Sequence, residues 1–473
     1  MEAIDKRETS KALFKNTGII AIGQISTRIV NFFLLPLYTA LLTTEEYGFV
    51  DLLTTYSGLL VVLVGLQMHQ AIFRFLVTER NDKDAIKQTV SSIICSIIVI
   101  FVAYILIFVF ISPLLKLSCK WFLVTHVVCS IMLQTVSGIA RGLGKNADYA
   151  LGNFVSSSTI LILNVVLIAG FRLGVSAMLI SYVIGPILGI VLLFFKCRIY
   201  AYFSVFCFKK EELRKVLEYS VPLVPNELSW SIIHSSDRWI VSAFLTVSAN
   251  GLIAVASKFS LIYTTFFSIF NASWTEQVVL HYKDKGGPQY VNEMFNKLVV
   301  FFATLAIGII SVMPFLFKYL VNEQFRESYY LIPLYMIAVF FNAVIGMLSA
   351  IYLIKNETKQ VALSTMVAAF INIIVDLVLI RIVGVYAAPI SSICGYATIS
   401  IWRLIDVNRR HCKIGISLKN VVMLTILLAL AIYIYVINAV LLKCCGLVVV
   451  IILSIYINRI FLKELLTLVR RNG

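Results

Sequence analysis

YSVPLVPN at 219–226 and SSDRWIV at 235–241 open the stretch that decides the fold of this chain, and ANGLIAVASKFS at 249–260 and ASWTEQ at 272–277 complete it. The stretch predicts two apolar helices that carry Asp237, Arg238 and Lys258 at the depth of a lipid bilayer. A charge at that depth costs roughly 2.5–3.5 kcal/mol on insertion scales and usually faces a pocket or a water-filled cavity. We therefore expect a polar site within a helical membrane protein.

Composition supports this class over the whole length. Of the 473 residues, 60% are hydrophobic and 14% are charged, and the mean hydropathy is +0.94. Apolar stretches of about 20 residues recur, which is typical of membrane-spanning helices and not of a barrel. We predict an all-α polytopic membrane protein with about 14 transmembrane helices: 15–41, 48–78, 89–112, 121–140, 150–171, 174–195, 216–246, 250–275, 293–317, 328–354, 360–381, 384–405, 419–438 and 445–462.

The basic residues predict the orientation of these spans. With the N-terminus in the cytoplasm, 29 of the 40 Lys and Arg residues fall on the cytoplasmic side and 7 on the outer side. Positive residues concentrate in cytoplasmic loops, so both termini are predicted to be cytoplasmic. The net charge of +16 then reflects topology and contact with anionic membrane lipids, and it does not indicate nucleic acid.

The longest cytoplasmic connection divides the chain. Residues 196–215 mix aromatic and basic side chains, which suits an amphipathic linker on the membrane surface. We predict an N-terminal six-helix bundle at 1–195, this linker at 196–215, a C-terminal six-helix bundle at 216–408 and two additional helices at 409–473. A weak internal repeat relates residues 43–57 to 246–260, with Gly48 matching Gly251, and repeats of this kind are common in transporters.

Two arginines lie within the first two predicted spans. Arg28 is too deep for its side chain to reach the headgroups, so we expect it to face a cavity or an acidic partner. Arg74 lies near the cytoplasmic end of its span, where two interpretations stand. It either extends to the headgroups or belongs to a polar face with Gln67, His69 and Gln70.

The seventh and eighth spans carry the largest polar group. Asn226, Trp230, His234 and Arg238 recur every four residues and share one helix face. Pro222 and Pro225 interrupt the entry of this helix, which predicts a site or a hinge. The structural alternative is an ion pair of Asp237 with Lys258 or Arg238 that fastens two helices.

In the eleventh span, Asn372 and Asp376 share a face. Asp376 is a candidate for proton or sodium coupling, and it can equally pair with Arg381. Arg28, Arg238 and Lys258 outnumber the deep acids Asp237 and Asp376. This excess favours an anionic ligand such as a phosphate or pyrophosphate, because Arg and Lys suit phosphate oxygens.

Catalytic and metal-binding patterns are absent from the sequence. There is no HExxH, P-loop or GxSxG motif, and the nine cysteines form no CxxC pair or Cys/His metal spacing. We therefore predict neither an enzyme nor a bound metal or other cofactor.

Several segments together resemble the polysaccharide transporter family, the repeat-unit flippases of the multidrug/oligosaccharidyl-lipid/polysaccharide exporter superfamily. The resemblance covers about the first 290 residues. Its motifs are FLLPLYTALLTTEEYGFVDLLTTY at 33–56, ARGLGKNADYALGN at 140–153, YSVPLVPN at 219–226, SSDRWIV at 235–241, ANGLIAVASKF at 249–259 and ASWTEQ at 272–277.

The resemblance implies transport of an undecaprenyl-pyrophosphate-linked oligosaccharide, an O-antigen, capsule or exopolysaccharide unit, across a bacterial cytoplasmic membrane. It also implies two six-helix bundles around a cationic cavity, two further helices and alternating access. A polysaccharide polymerase and other assembly proteins are expected partners. Arg28, Arg74, Arg238 and Lys258 are then expected to bind substrate. A cation-coupled multidrug exporter, a lipid II flippase and a polymerase or ligase enzyme are the competing hypotheses.

Overall fold

The computed structural model describes residues 32–114, 118–282, 284–355, 357–415 and 417–472. Secondary structure in these ranges is helical, without a strand. Eleven segments of the described residues are long and apolar enough to cross a membrane. The prediction of an all-α polytopic membrane protein is therefore confirmed.

Three observations relate these eleven segments to the fourteen predicted spans. The segment Lys359–Arg410 contains two helices, joined by a 3₁₀ turn at Gly384–Tyr386. The helix Val224–Phe244 is not among the eleven, and it carries Glu227, Asp237 and Arg238. The first predicted span lies mostly outside the described residues.

The chain divides into two compact units, Met1–Ser235 and Ser236–Gly473. The helices of the first unit are α1 (Leu35–Leu41), α2 (Thr44–Gly65), α3 (Met68–Glu79), α4 (Lys83–Ile111), α5 (Trp121–Gly142), α6 (Asn146–Asn164), α7 (Gly174–Lys196), α8 (Lys210–Ser220) and the first part of α9 (Val224–Phe244). A π-helical turn, Val165–Gly170, extends α6. Within this unit α6 packs on α7, and α5 packs on α3 and α7.

The second unit begins inside α9. Its further helices are α10 (Val247–His281), α11 (Gly287–Leu320), α12 (Ser328–Lys355), α13 (Thr358–Val383), α14 (Ala387–Arg410), α15 (Leu418–Val436) and α16 (Val440–Asn472). α12 packs against α10 and α14, α13 packs against α14, and α15 and α16 pack on α11. Ser236, Asp237 and Arg238 of α9 therefore belong to the same unit as the polar residues of α10 and α13.

The second predicted span is not the continuous helix expected at 48–78. It is broken between α2 and α3, where Leu66 and Gln67 both have left-handed backbone conformations with φ of 47° and 54°. This conformation costs roughly 1–2 kcal/mol per non-glycine residue. The sequence does not reveal this break, because the apolar pattern continues through it and neither Leu66 nor Gln67 is a typical helix breaker such as Gly or Pro.

The linker between the predicted bundles is also more ordered than its composition indicates. Two 3₁₀ turns, Ile199–Tyr202 and Val205–Cys207, lead into α8, which continues beyond the predicted end of the linker. The backbone N–H groups of Ser204 and Lys209 donate to the hydroxyls of Ser91 and Ser92 at 3.0 Å each. Two serines in the third turn of α4 thus hold the linker in place.

Pro222 and Pro225 lie where a short 3₁₀ turn connects α8 to α9. Pro222 lies in a 3₁₀ turn, Val221–Leu223, that joins α8 to α9, and Pro225 lies in the first turn of α9. Proline is tolerated in a first turn because the N–H it lacks has no intrahelical partner there. Ser220, Val221 and Val224 all keep right-handed helical dihedrals, so the chain changes helix type without turning away.

Threonine N-caps begin the helices in both segments of the predicted repeat. Thr43 accepts from the Glu46 backbone N–H at 3.1 Å and caps α2, while Thr246 accepts from the Ala249 N–H at 3.0 Å and caps α10. Each cap satisfies an N–H group that lacks an intrahelical partner. The same local chemistry therefore ends the turn before Gly48 and before Gly251.

Candidate functional site

Asp237 lies at the centre of the polar interior of the second unit. Its side chain is buried, and its Oδ1 accepts hydrogen bonds from the backbone N–H of Arg238 at 2.9 Å and from Arg238 Nη1 at 3.1 Å. The Tyr335 hydroxyl on α12 donates to Oδ2 at 3.2 Å. The carboxylate is therefore compensated by a cation and a neutral donor, as a buried charge requires.

Arg238 connects α9 to α10. Its side chain is 13% exposed, and Nη2 donates to Ser257 Oγ at 3.1 Å. Lys258 follows Ser257 on α10 and is partly buried. The structure thus brings together Asp237, Arg238 and the turn of α10 that carries Lys258. The ion pair of Asp237 with Arg238, one of the two considered from sequence, is present.

Asn372 and Asp376 on α13 border the same interior. Ser236 Oγ donates to Asn372 Oδ1 at 2.8 Å, which ties α13 to α9. Asp376 is fully buried, and neither carboxylate oxygen has a hydrogen-bond partner among the described residues. Asp237 is close enough to act on it electrostatically. An ionised carboxylate is costly in such a place, so this site is suited to taking up a proton or a small cation.

The alternative pair of Asp376 with Arg381 does not form in the described part of the chain. Arg381 instead lies over the Phe244 ring, with 5.6 Å from its guanidinium carbon to the ring centre. A cation over an aromatic face is stabilised by the ring quadrupole without an acidic partner. Asp376 is therefore left as the acid without a basic partner in this interior.

Arg74 belongs to the first unit, on α3 after the helix break. Its guanidinium carbon lies 4.3 Å from the centre of the Tyr219 ring, and the Phe75 ring meets the same tyrosine edge-on at 6.1 Å. The Arg74 side chain is exposed. Neither sequence interpretation of Arg74 anticipated this stacking on α8. Arg28 lies outside the described residues.

Sequence reasoning missed Arg403, which was counted among the cytoplasmic basic residues. Its side chain is 1% exposed. Its hydrogen bonds fasten α14 to α12 and α13: Nη1 to Ser349 Oγ at 2.7 Å, Nε to Ser364 Oγ at 3.1 Å, Nη2 to Thr365 Oγ1 at 3.1 Å and Nη2 to the Val361 carbonyl at 3.2 Å. The hydroxyl residues Ser349, Ser364 and Thr365 on neighbouring spans are the sequence feature that could have indicated a buried partner for Arg403.

A second polar cluster lies where α13 begins and α14 ends. Ligand atoms of Glu357, Asp406 and His411 lie within 4.8 Å of one another, a spacing that a metal ion can bridge. Arg410 already pairs with Asp406, and His411 Nε2 lies 3.2 Å from Glu357 Oε2. We interpret the cluster as an ion-pair network, because its acids already have basic partners.

Comparison with known proteins finds one matching protein family and several solved structures with a similar fold. Residues 13–275 match the family described as polysaccharide biosynthesis protein. A comparison with curated proteins gives no match. The fold resembles that of a structure described as lipid II flippase MurJ in an inward closed conformation, with a TM-score of 0.72 and 16% identity, over 94% of this chain and 99% of that one.

Two further solved structures share the fold. One is described as the inward-facing conformation of a multidrug resistance MATE transporter of the MOP superfamily, with a TM-score of 0.64, 12% identity and coverage of 82% of this chain and 98% of that chain. The other is a MOP superfamily transporter from Pyrococcus furiosus, described as having a binding pocket of reverse polarity, with a TM-score of 0.54, 14% identity and coverage of 83% and 96%.

Proposed function

Because the chain belongs to the polysaccharide biosynthesis protein family, we propose that it is a flippase for undecaprenyl-pyrophosphate-linked oligosaccharides. It moves repeat units of an O-antigen, capsule or exopolysaccharide from the cytoplasmic to the outer leaflet of a bacterial cytoplasmic membrane, by alternating access. The observation that carries the proposal is the pair of basic residues Arg238 and Lys258 on adjoining turns of α9 and α10, within a transporter fold.

In this proposal the basic residues hold the anionic headgroup. Arg28, Arg238 and Lys258 bind the pyrophosphate or acidic sugars, and Arg74 guides the headgroup on the cytoplasmic side. Arg238 shares Asp237 with Tyr335, so its guanidinium is positioned before substrate arrives. Pro222 lies in the 3₁₀ turn that joins α8 to α9, and Pro225 lies in the first turn of α9; this change of helix type supports a role in the conformational change.

Coupling is assigned to the acids of the same interior. Asp376 has no hydrogen-bond partner among the described residues, and it neighbours Asp237, which holds Arg238. We propose that a proton or sodium ion taken up by this pair of carboxylates drives transport. Both termini are placed in the cytoplasm, and a polysaccharide polymerase and other assembly proteins are proposed partners.

The first experiment measures the sidedness of radiolabelled lipid-linked oligosaccharide in membrane vesicles with and without the protein. We expect the label to reach the outer leaflet only when the protein is present. Equal sidedness in both preparations contradicts the proposal. Transport of lipid II, or changed drug sensitivity on deletion, would instead support the two transporter alternatives that the neighbouring folds represent.

Variants of Arg238 test the role of the basic residues. Charge-assisted hydrogen bonds contribute about 1.5–3 kcal/mol, so Arg238→Ala should reduce transport roughly tenfold or more. Because this change also unpairs Asp237, Arg238→Lys is the second variant: it keeps a positive charge beside Asp237 and should retain more transport than Arg238→Ala if the cation itself matters. Arg326→Ala is the matched control, since Arg326 is exposed and pairs with exposed Glu323. Normal transport in Arg238→Ala rejects the assigned role.

A further inference from the structure

α3 and α5 approach each other closely at two glycines of α5. A Cβ atom on Gly138 would lie 2.9 Å from the His69 carbonyl oxygen, and one on Gly142 would lie 2.6 Å from Leu76 Cβ. The spacing of four residues puts both glycines on one face of α5. This contact sets the position of Arg141, which comes one residue before Gly142 near the cytoplasmic end predicted for the span.

Aromatic rings hold the Arg141 guanidinium. Its central carbon lies 4.4 Å from the Phe73 ring centre on α3 and 5.3 Å from the Tyr149 ring centre on α6. The side chain is partly buried. Its Nε is fully buried and has no hydrogen-bond partner among the described residues, and no acid in that part of the chain lies within ion-pair distance of it.

Unlike Arg141, the neighbouring basic residues have hydrogen-bond acceptors or an acidic partner within the described part of the protein. Arg80 donates to the carbonyls of Gly142 at 2.6 Å and Arg141 at 3.1 Å. Lys145 donates to the Cys197 carbonyl at 3.0 Å, and Lys196 pairs with Asp148 at 3.1 Å. Each of these three residues therefore has at least one polar partner within the protein. Aromatic faces, by contrast, stabilise the positive charge of Arg141 while leaving the N–H groups of its two Nη atoms available.

We propose that Arg141 binds a phosphate group at the cytoplasmic side of the first unit, held ready by Phe73 and Tyr149. This inference rests on the proposed function and adds a phosphate-binding residue to it. A guanidinium suits phosphate because its N–H groups form two parallel hydrogen bonds to phosphate oxygens. The phosphate comes either from the pyrophosphate of the lipid-linked substrate or from an anionic phospholipid headgroup.

The test measures binding of farnesyl pyrophosphate to the full chain in nanodiscs of phosphatidylcholine. Arg141→Gln should weaken affinity roughly tenfold or more, and Arg141→Lys should give an intermediate value, because it keeps the charge and loses the fork of donors. Arg80→Gln is the matched control. It should lower the melting temperature without changing affinity, since Nε and Nη2 of Arg80 donate to backbone carbonyls.

A second arm distinguishes the two sources of phosphate. Native mass spectrometry counts phosphatidylglycerol retained by the protein from nanodiscs that contain this lipid. Loss of retained lipid in Arg141→Gln, with unchanged farnesyl pyrophosphate affinity, supports the phosphate assignment and identifies the headgroup as its source. Unchanged affinity together with unchanged lipid retention overturns the inference.

Folding is controlled separately. If Arg141→Gln does not elute as a single species, Arg141→Lys and Tyr149→Leu decide the matter, and wild-type affinity in both overturns the inference. Failure of the proposed function is distinguishable. If wild-type protein does not move lipid-linked oligosaccharide but its pyrophosphate binding still depends on Arg141, the function fails and the binding residue stands.

Discussion

At the scale of single residues, the described basic side chains of the spans differ in what compensates their charge. Arg238 has an acidic partner, Arg74 and Arg141 have aromatic partners, and Arg403 has hydroxyl and carbonyl acceptors. Each arrangement stabilises the positive charge, but an aromatic partner leaves in-plane N–H groups available for a ligand. The hydrogen bonds of Arg403 reach two neighbouring helices, so this residue fastens helices, whereas its aromatic partners suit Arg141 to a ligand.

Replacing Arg403 with alanine should destabilise the protein. The change removes four hydrogen bonds and leaves the hydroxyls of Ser349, Ser364 and Thr365 without this donor. We expect a loss of at least about 2 kcal/mol, because buried polar groups without partners are costly. Thermal unfolding monitored by size-exclusion chromatography measures it. Arg409→Ala, exposed on the same helix, is the control, and equal melting temperatures for both variants would contradict the prediction.

Glu79, the last residue of α3, should make the stability of the protein depend on pH. Burial raises its pKa above the ordinary glutamate range, and Oε2 has no hydrogen-bond partner among the described residues. A raised pKa means that the protonated form favours the fold. Its stabilising contribution is complete below the unfolded-state pKa and is lost as pH rises through the folded-state pKa.

The variant Glu79→Gln imitates the protonated form. It should therefore melt at a higher temperature than wild type near pH 7.5, and the difference should shrink as the pH falls toward the unfolded-state pKa. Melting curves across this pH range measure the effect. Glu211→Gln, an exposed residue on α8, serves as the control and should show no such trend. A difference that is constant with pH would refute the assignment to titration.

At the scale of the elements, the tight contact between α3 and α5 depends on the absence of a side chain. Gly138→Ala would place a methyl group 2.8 Å from Ile72 Cγ2 and 2.9 Å from a backbone oxygen, so the helices must separate. We expect a lower melting temperature and weaker farnesyl pyrophosphate binding, because Phe73 and Arg141 lie beside this contact.

Gly58→Ala is the matched control for this substitution. A Cβ at Gly58 in α2 would have no heavy atom within 4 Å, and alanine is the better helix former by about 0.5–1 kcal/mol. The control should therefore be neutral or slightly stabilising. If Gly138→Ala behaves like Gly58→Ala, the close approach of α3 and α5 is not required.

At the scale of the whole molecule, the orientation in the membrane is the prediction to test. Single cysteines replace Phe206, which is 99% exposed in the linker, and Glu323, which is exposed in the turn between α11 and α12, in a chain whose own cysteines have been replaced. A membrane-impermeant maleimide applied to intact spheroplasts should label position 323 and not position 206. The reverse pattern would place the termini outside and contradict the charge rule.

The fold class and the helical segments could be predicted from the sequence, because a bilayer requires apolar helices about 20 residues long with their backbone groups satisfied internally. The same reasoning selected Asp237, Arg238, Lys258 and Asp376, since ionisable residues at that depth are costly wherever the helices pack. Helix formation and the cost of burying a charge depend only on the residues of one segment and on the surrounding lipid, so both can be predicted from the sequence.

Tertiary structure alone decided which polar groups meet. Ser236 and Asn372 are 136 positions apart, and Tyr335 lies 98 positions from Asp237. Arg403 counts as a surface cation by its position in the sequence, yet packing of α12, α13 and α14 encloses it. Arg141 likewise counts as a surface cation by its position in the sequence, yet helix packing places the rings of Phe73 and Tyr149 against its guanidinium. A hydropathy pattern states how deep a side chain lies, whereas its partner depends on which helices pack together and how they are rotated.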